Sequence, residues 1–250
     1  PIFNKAKVIE ITGEVKIPGF YTVSDDMKLS DLLSMAGVYT ENAYPLAGVF
    51  TRESVRDLEK SANDKGYNEL IRYLVSSPGF AASGGAGGAA GVISFLSLLK
   101  QYQPTGRIVT EFELSKLEKE PKLDRVLEDK DRIHIPAFMP EVFVFGEVMN
   151  PGAIIYQETF EPSDYIDRAG SFSRVADESR MILISPNGES TILTSGLKSV
   201  FKEKHNILPG SVIYVPRLIG RVDGINLAAS VAPIISSFAL SIASLNSINN

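Results

Sequence analysis

Apolar and polar residues alternate in short runs through most of this chain, the period of half-buried strands. Val8-Ile-Glu-Ile-Thr-Gly-Glu-Val15 predicts one strand and Phe20–Val23 a second, with Pro18-Gly19 between them as the type II turn of a hairpin. The period then lengthens. Leu32, Leu33 and Ala36 share one face of a helix over Lys28–Gly37, with Ser30 as its N-cap and Gly37 as its C′ stop. Ala47–Thr51 returns to strand character.

The same phrase recurs further on. Gly146, Glu147, Val148, Pro151 and Gly152 fall on Gly13, Glu14, Val15, Pro18 and Gly19. Ser163-Asp164 falls on Ser30-Asp31, and Ala169-Gly170 on Ala36-Gly37. Both copies close alike, on Asp131-Arg-Ile-His-Ile-Pro136 and on Ser211-Val-Ile-Tyr-Val-Pro216. Before each closing strand, Gly106–Thr110 resembles Ser190–Thr194. An internal duplication of this kind predicts two small units of one fold. The glycine of each Gly-Glu-Val phrase permits a close backbone approach or a bulge, so the motif reports the fold before it reports a site.

The copies differ in closing distance, which locates an insertion at about 54–105 in the first. Its opening, Arg52 to Leu74, reads as a charged helix in which Val55, Leu58, Ala62, Leu70 and Leu74 face inward. A Gly/Ala-rich run, Ala81–Gly91, and a short apolar run, Val92–Leu99, follow as a loop and a docked helix. A membrane segment there is disfavoured, because each glycine costs roughly 1 kcal/mol in a helix.

Ile225–Asn250 breaks the pattern, for it contains no Asp, Glu, Lys or Arg. On a helix, Leu227, Val231, Ile235, Phe238, Ile242 and Leu245 fall within an arc of roughly 80°. Asn226, Ser230, Ser237, Ser241 and Ser244 line one flank, and Ala228, Ala232, Ala239 and Ala243 the other. About 24 helical residues rise about 36 Å, enough to cross a hydrocarbon layer of about 30 Å. Three readings stay open: a core helix covering its own domain, a single-span anchor, or one helix of a ring. In the ring, the apolar ridge faces lipid and the polar flank faces neighbours or a lumen. Pro233 marks a start or a kink.

Composition narrows the chemistry. The 250 residues carry a net charge of −5, and no basic run points to nucleic acid. With no cysteine, disulfides and thiolate metal sites are excluded. His134 and His205 are the only histidines and stand in no metal-spacing motif. Gly84–Gly88 lacks the Gly-Lys-Ser/Thr of a phosphate loop. Asp124, Glu128, Asp129 and Asp131, mixed with Arg125, Lys130 and Arg132, read as a solvated face. The pairs Asp25-Asp26 and Asp177-Glu178 would need a cleft to do acid/base work. No catalytic residue, metal or cofactor is expected. The chain begins Pro1-Ile-Phe, without an initiator Met, and reads as a piece of a longer protein.

The repeat unit is strand, Gly-Glu-Val, Pro-Gly, strand, Ser-Asp helix ending in Ala-Gly, then a closing Ile-Pro or Val-Pro strand. It resembles the soluble-ligand-binding β-grasp (SLBB) domain, over about 7–53 with 106–138 and over 141–218. Two such units before a charge-free amphipathic helix resemble the outer-membrane polysaccharide export family, closer to its larger group 2 capsule type. The resemblance implies an α+β fold of two tandem β-grasp domains followed by a C-terminal amphipathic transmembrane helix. The division would be a linker at 1–6, a first domain at 7–138 with its insertion, a second at 139–218, and the helix at 219–250. The family's N-terminal export domain is missing here, as is a lipidated cysteine. The resemblance also implies a non-enzymatic channel component in the outer membrane of a Gram-negative bacterium, with periplasmic domains. Its partners would be further copies in a homo-oligomeric ring, inner-membrane co-polymerase and ABC or polymerase machinery, the polysaccharide and outer-membrane lipid. Tyr39, Tyr44 and Phe172 are candidates for sugar contact. The rival reading is a soluble periplasmic glycan- or ligand-binding module with its last helix packed on its own domain.

Overall fold

The computed structural model describes residues 6–76, 103–194 and 206–218. Within them lie two five-stranded mixed sheets of the same topology. In the first, β1 (Lys7–Gly13) pairs antiparallel with β2 (Gly19–Val23) and parallel with the closing strand β5 (Arg132–Ile135). β3 (Val49–Thr51) and the short β4 (Arg107–Ile108) complete the order β2-β1-β5-β3-β4. The second repeats it as β7-β6-β10-β8-β9, from β6 (Glu141–Gly146), β7 (Gly152–Ile155), β8 (Arg180–Ile184), β9 (Ser190–Thr194) and β10 (Val212–Val215).

One helix packs on one face of each sheet. In the first, Leu29, Leu32, Leu33 and Ala36 of α1 (Leu29–Met35 and its cap) meet Ile9, Ile11, Phe50, Ile133 and Ile135, all at or near zero exposure. A short helix α3 (Leu114–Lys119) adds Leu117 to this core. In the second, α4 (Pro162–Arg168) brings Tyr165 and Ile166 against Val142, Val144, Leu183, Ile213 and Val215. Tyr165 occupies the place of Leu32, and its hydroxyl takes up the Gln157 amide at 3.0 Å. Burying each such side chain stabilises by about 1.5–3 kcal/mol, which makes these faces the main source of stability.

The start of α1 differs from the expectation. Its cap is Lys28, whose N–H donates to the Asp31 carboxylate at 3.0 Å. Ser30 lies inside the first turn instead. Its N–H and hydroxyl donate to Asp124 at 3.1 and 2.7 Å, so a carboxylate far along the chain satisfies this helix end. At the other end, Gly37 and Gly170 take φ of +75° and +81°, as a helix stop of this kind requires.

The hairpin reversal also differs from a tight type II turn. It spreads over residues 14–18, because this segment bonds elsewhere: Lys16 N–H to Val38 at 3.1 Å and Ile17 N–H to Ala36 at 2.9 Å. Gly19 and Gly152 open the returning strands, opposite Ile11 and Val144.

The insertion begins as α2 (Glu53–Ser76). Leu58 is 70% exposed and Ala62 is exposed, against the inward face expected of them. The half-buried stripe is instead Val55, Glu59, Asn63, Tyr67 and Ile71, at a four-residue spacing. Glu59 sets that rotation, since its carboxylate accepts the N–H groups of Thr105 and Gly106, both at 3.0 Å. The side chains of Leu70 and Leu74, and the whole of the Gly84–Gly88 and Val92–Leu99 runs, lie outside what is described.

A Cβ on Gly13 would sit 2.0 Å from the Ile135 carbonyl oxygen, and φ there is +84°. Gly13→Ala is therefore expected to cost about 3 kcal/mol. Gly152→Ala, which meets nothing within 4 Å, should cost under about 1 kcal/mol. Urea denaturation of both variants checks this, and equal losses would contradict it.

Candidate functional site

The Gly-Glu-Val phrases lie at the same end of each sheet, where the first and closing strands run parallel. Because Gly13 has no side chain, the Glu14 amide reaches the Ile135 carbonyl at 2.7 Å. The second copy does the same at Gly146, with Glu147 N–H to Val215 at 2.9 Å. Each glutamate then turns its carboxylate onto the loop after the helix. Glu14 accepts the Thr40 hydroxyl, and Glu147 accepts the Ser173 hydroxyl at 2.8 Å. Val15 and Val148 form bridges to Tyr39 and Phe172. Gly13 and Gly146 thus hold the sheets together, while Pro18-Gly19 and Pro151-Gly152 lead into the edge strands.

The aromatic residues picked as sugar contacts are engaged within the protein. Tyr39 donates to the Phe112 carbonyl, and burial raises its phenol well above the ordinary value, with Glu111 and Glu113 adding to it. Phe172 packs on the second core. Tyr44 stacks edge-on to Phe138 at 5.2 Å and donates to Pro209 of the second unit at 3.0 Å. Burial pushes its pKa up to about 12. Beside it, Arg107 donates from Nη2 to the Pro186 carbonyl at 3.2 Å, over the bare face of Gly188. Burial lowers this guanidinium to about 10. Tyr44 and Arg107 thereby bind the first unit to two proline carbonyls of the second.

The charged stretch before β5 is only partly a solvated face. Asp131 has zero exposure and receives Arg52 through Nε at 2.9 Å and Nη2 at 2.8 Å. Glu128 takes Nη1 of the same arginine at 2.6 Å. Burial lifts Asp131 above the usual carboxylate range against the pull of Arg52. For Arg52, burial is outweighed by its acidic partners, which raise it. The two shifts oppose one another, and the two-point geometry decides for the ion pair. Asp177 is likewise buried, yet Ser179 and Arg180 hold it below its ordinary value despite the desolvation. Sequence reasoning missed the first pair because Arg52 and Asp131 are 79 residues apart along the chain, and the second because nothing local to Asp177 and Arg180 shows that Asp177 is buried.

The outward faces of the two sheets differ. Strand register aligns Phe20, Glu10, Arg132, Thr51 and Arg107 in one row across all five strands of the first. The equivalent row in the second is Ala153, Phe143, Val212, Ile184 and Ser190. Phe143 and Phe145 stack at 6.2 Å on that apolar side. Above the first row a groove of about 200 Å³ opens between the sheet, the start of α2 and Lys130.

His134 stands in this outer face on β5, sharing a hydrogen bond between Nδ1 and the Thr12 hydroxyl at 3.0 Å. Burial lowers its pKa, offset in part by Glu14. Among the described residues no cluster of acidic and histidine side chains is arranged to hold a metal. Nor, among them, is any helix long and apolar enough to cross a membrane. The ridge from Leu227 to Leu245, the flank from Asn226 to Ser244, and His205 lie outside the described residues.

Residues 8–49 match the SLBB domain. Two Escherichia coli proteins, each described as polysialic acid transport protein KpsD, are 32% identical over 95 residues. The match takes in 38% of this chain and only 16% of either relative.

Removing one member of the buried pair should be costly. Asp131→Ala is expected to lose about 3–5 kcal/mol, and adding Arg52→Ala should lose less than the sum of the single changes. A double-mutant cycle in urea measures both. For His134, the folded pKa is depressed, so the unfolded chain binds the extra proton first. Stability should therefore fall as pH drops below about 6.5, and His134→Gln should lessen that slope in thermal melts between pH 7.5 and 5.

Proposed function

We propose that this chain, a member of the outer-membrane polysaccharide export family built on SLBB domains, is a non-enzymatic part of a capsule-type export channel. The observation that carries the reading is the duplicated sheet. Two units of one topology follow each other, residues 8–49 of the first match the SLBB domain, and two relatives that align with the chain are described as polysialic acid transport proteins. The units would be domains at 7–138 and 139–218, with the insertion at 54–105 extending the first, and 219–250 following as the membrane helix.

In this reading copies associate side by side in a closed ring. Their terminal helices form a barrel whose backbone bonds are satisfied within each helix, as lipid demands. Leu227, Val231, Ile235, Phe238, Ile242 and Leu245 meet lipid, while Asn226, Ser230, Ser237, Ser241 and Ser244 meet neighbours or the lumen. The domains stand in the periplasm, facing the inner-membrane export machinery. Tyr44 and Arg107 supply what a ring of two-domain subunits needs, a fixed angle between the units.

Particle size in detergent, with and without residues 219–250, tests this. The reading expects a ring that weakens or loses its detergent belt on truncation. A monomer in both cases, destabilised by the truncation, would replace it with the soluble ligand-binding module. Phe238→Asp is expected to abolish membrane insertion and leave thermal unfolding of the domains unchanged.

A further inference from the structure

We propose that the far end of the second unit lies on a phospholipid surface bearing anionic headgroups, a proposal that rests on the export reading above for its membrane. β6 and β10 run parallel, so the loops that follow them leave the sheet at one end. The loop after α4 crosses that end, where Ser173 N–H donates to the Glu147 carbonyl at 2.9 Å and Leu218 N–H to the Val175 carbonyl at 2.7 Å. Tyr44 and Arg107 of the first unit meet the opposite end, at Pro209 and Pro186. The far end is therefore the one from which the chain departs at Leu218.

Two observations select lipid as the partner. The first is what this end exposes. Met149, Val175 and Leu218, one on each of its three loops, are 63%, 38% and 62% exposed. Arg174 and Arg217 adjoin Val175 and Leu218 in the chain and are exposed as well. Among the described residues neither arginine enters an ion pair, whereas Arg180 holds the buried Asp177 at 2.7 Å. Half-buried Glu147 is turned onto the Ser173 hydroxyl, and Glu178 is the exposed carboxylate beside the two arginines. An arginine stem lies along apolar neighbours while its guanidinium reaches phosphate. Apolar tips flanked by arginine thus fit the boundary between acyl chains and headgroups.

The first unit shows that the fold does not impose this surface. Matched through the same backbone bonds, it has Lys16, Glu41, Asn42 and Ala137 where the second has Met149, Arg174, Val175 and Arg217. All eight are exposed, so burial does not account for the exchange.

The second observation is where the chain goes next. Leu218 is seven residues from Ile225, the first of the charge-free Ile225–Asn250. Seven Cα steps reach at most about 25 Å. A terminal helix that enters lipid near Ile225 therefore keeps the far end within that distance of the membrane.

The chain has no cysteine, so one introduced cysteine carries one label. The test places an environment-sensitive fluorophore on Met149→Cys, Val175→Cys or Leu218→Cys of the full chain, with Ile17→Cys and Phe238→Cys as references. Each is reconstituted into vesicles of phosphatidylethanolamine with phosphatidylglycerol. The first three labels are expected to be quenched by lipid-borne quencher and shielded from aqueous iodide, while the label at position 17 stays within reach of iodide. Arg174→Gln and Arg217→Gln should each lower the ratio of docked to undocked label about fivefold, and added salt should lower it too. Thermal melts check that each variant is folded. Labels at 149 and 175 open to iodide while that at 238 is in lipid would overturn the proposal and leave the membrane helix of the export reading standing. Labels shielded from both quenchers would overturn it in favour of a second copy covering this face, and docking that ignores both arginine changes would overturn it as well. Labels at 149 and 175 in lipid while that at 238 stays in water would uphold the docking and overturn the membrane helix.

Discussion

Everything in each unit depends on the first strand lying parallel against the last. That pairing brings Thr12 within hydrogen-bonding reach of Ile133, a separation of 121 residues. It is extended by one further bond, from the glutamate amide to the Ile135 or Val215 carbonyl, that only glycine makes room for. From that bond follow the glutamate's hold on the loop hydroxyl, the valine bridge to the aromatic residue and the docking of the helix stop. A parallel pair is paid for in loop entropy before its contacts form, so it is the step a single added methyl group disturbs most.

The same arrangement explains why one copy tolerates an insertion. β3 and β4 are neighbours in the sheet, with Thr51 opposite Arg107, so the chain leaves and re-enters at one place. In the second copy a short turn around Gly188 does the same work between β8 and β9. Lengthening such a connection costs only slowly growing loop entropy, and neither the core nor the closing strand shifts register.

Much of this was legible in the chain. The repeat pointed to the strands and the helix of each unit, because alternation and Gly-Glu-Val survive duplication. Side-chain partners across the chain were less legible. Ser30 looks like a cap by its neighbours, but Asp124 decides its role. Leu58 looks inward by helical period, but Glu59 fixes the helix rotation through the returning chain. Tyr39 and Tyr44 look like binding aromatics, yet each spends its hydroxyl on a backbone carbonyl. The outward row was invisible until register joined residues from five strands. Such partners are set by tertiary pairing, which local pattern does not encode.

The clasp of Glu59 on the Thr105 and Gly106 amides has a consequence for how this protein varies and how it can be altered. Departure and return are fastened together beside the sheet, so the excursion between them is a cassette. Whatever is spliced between the two attachment points inherits a fixed base and a fixed orientation, while the strands on either side keep their register. A reporter domain, a recognition loop or nothing beyond a short bridge could occupy that place. Each would meet the rest of the molecule through the same two amides.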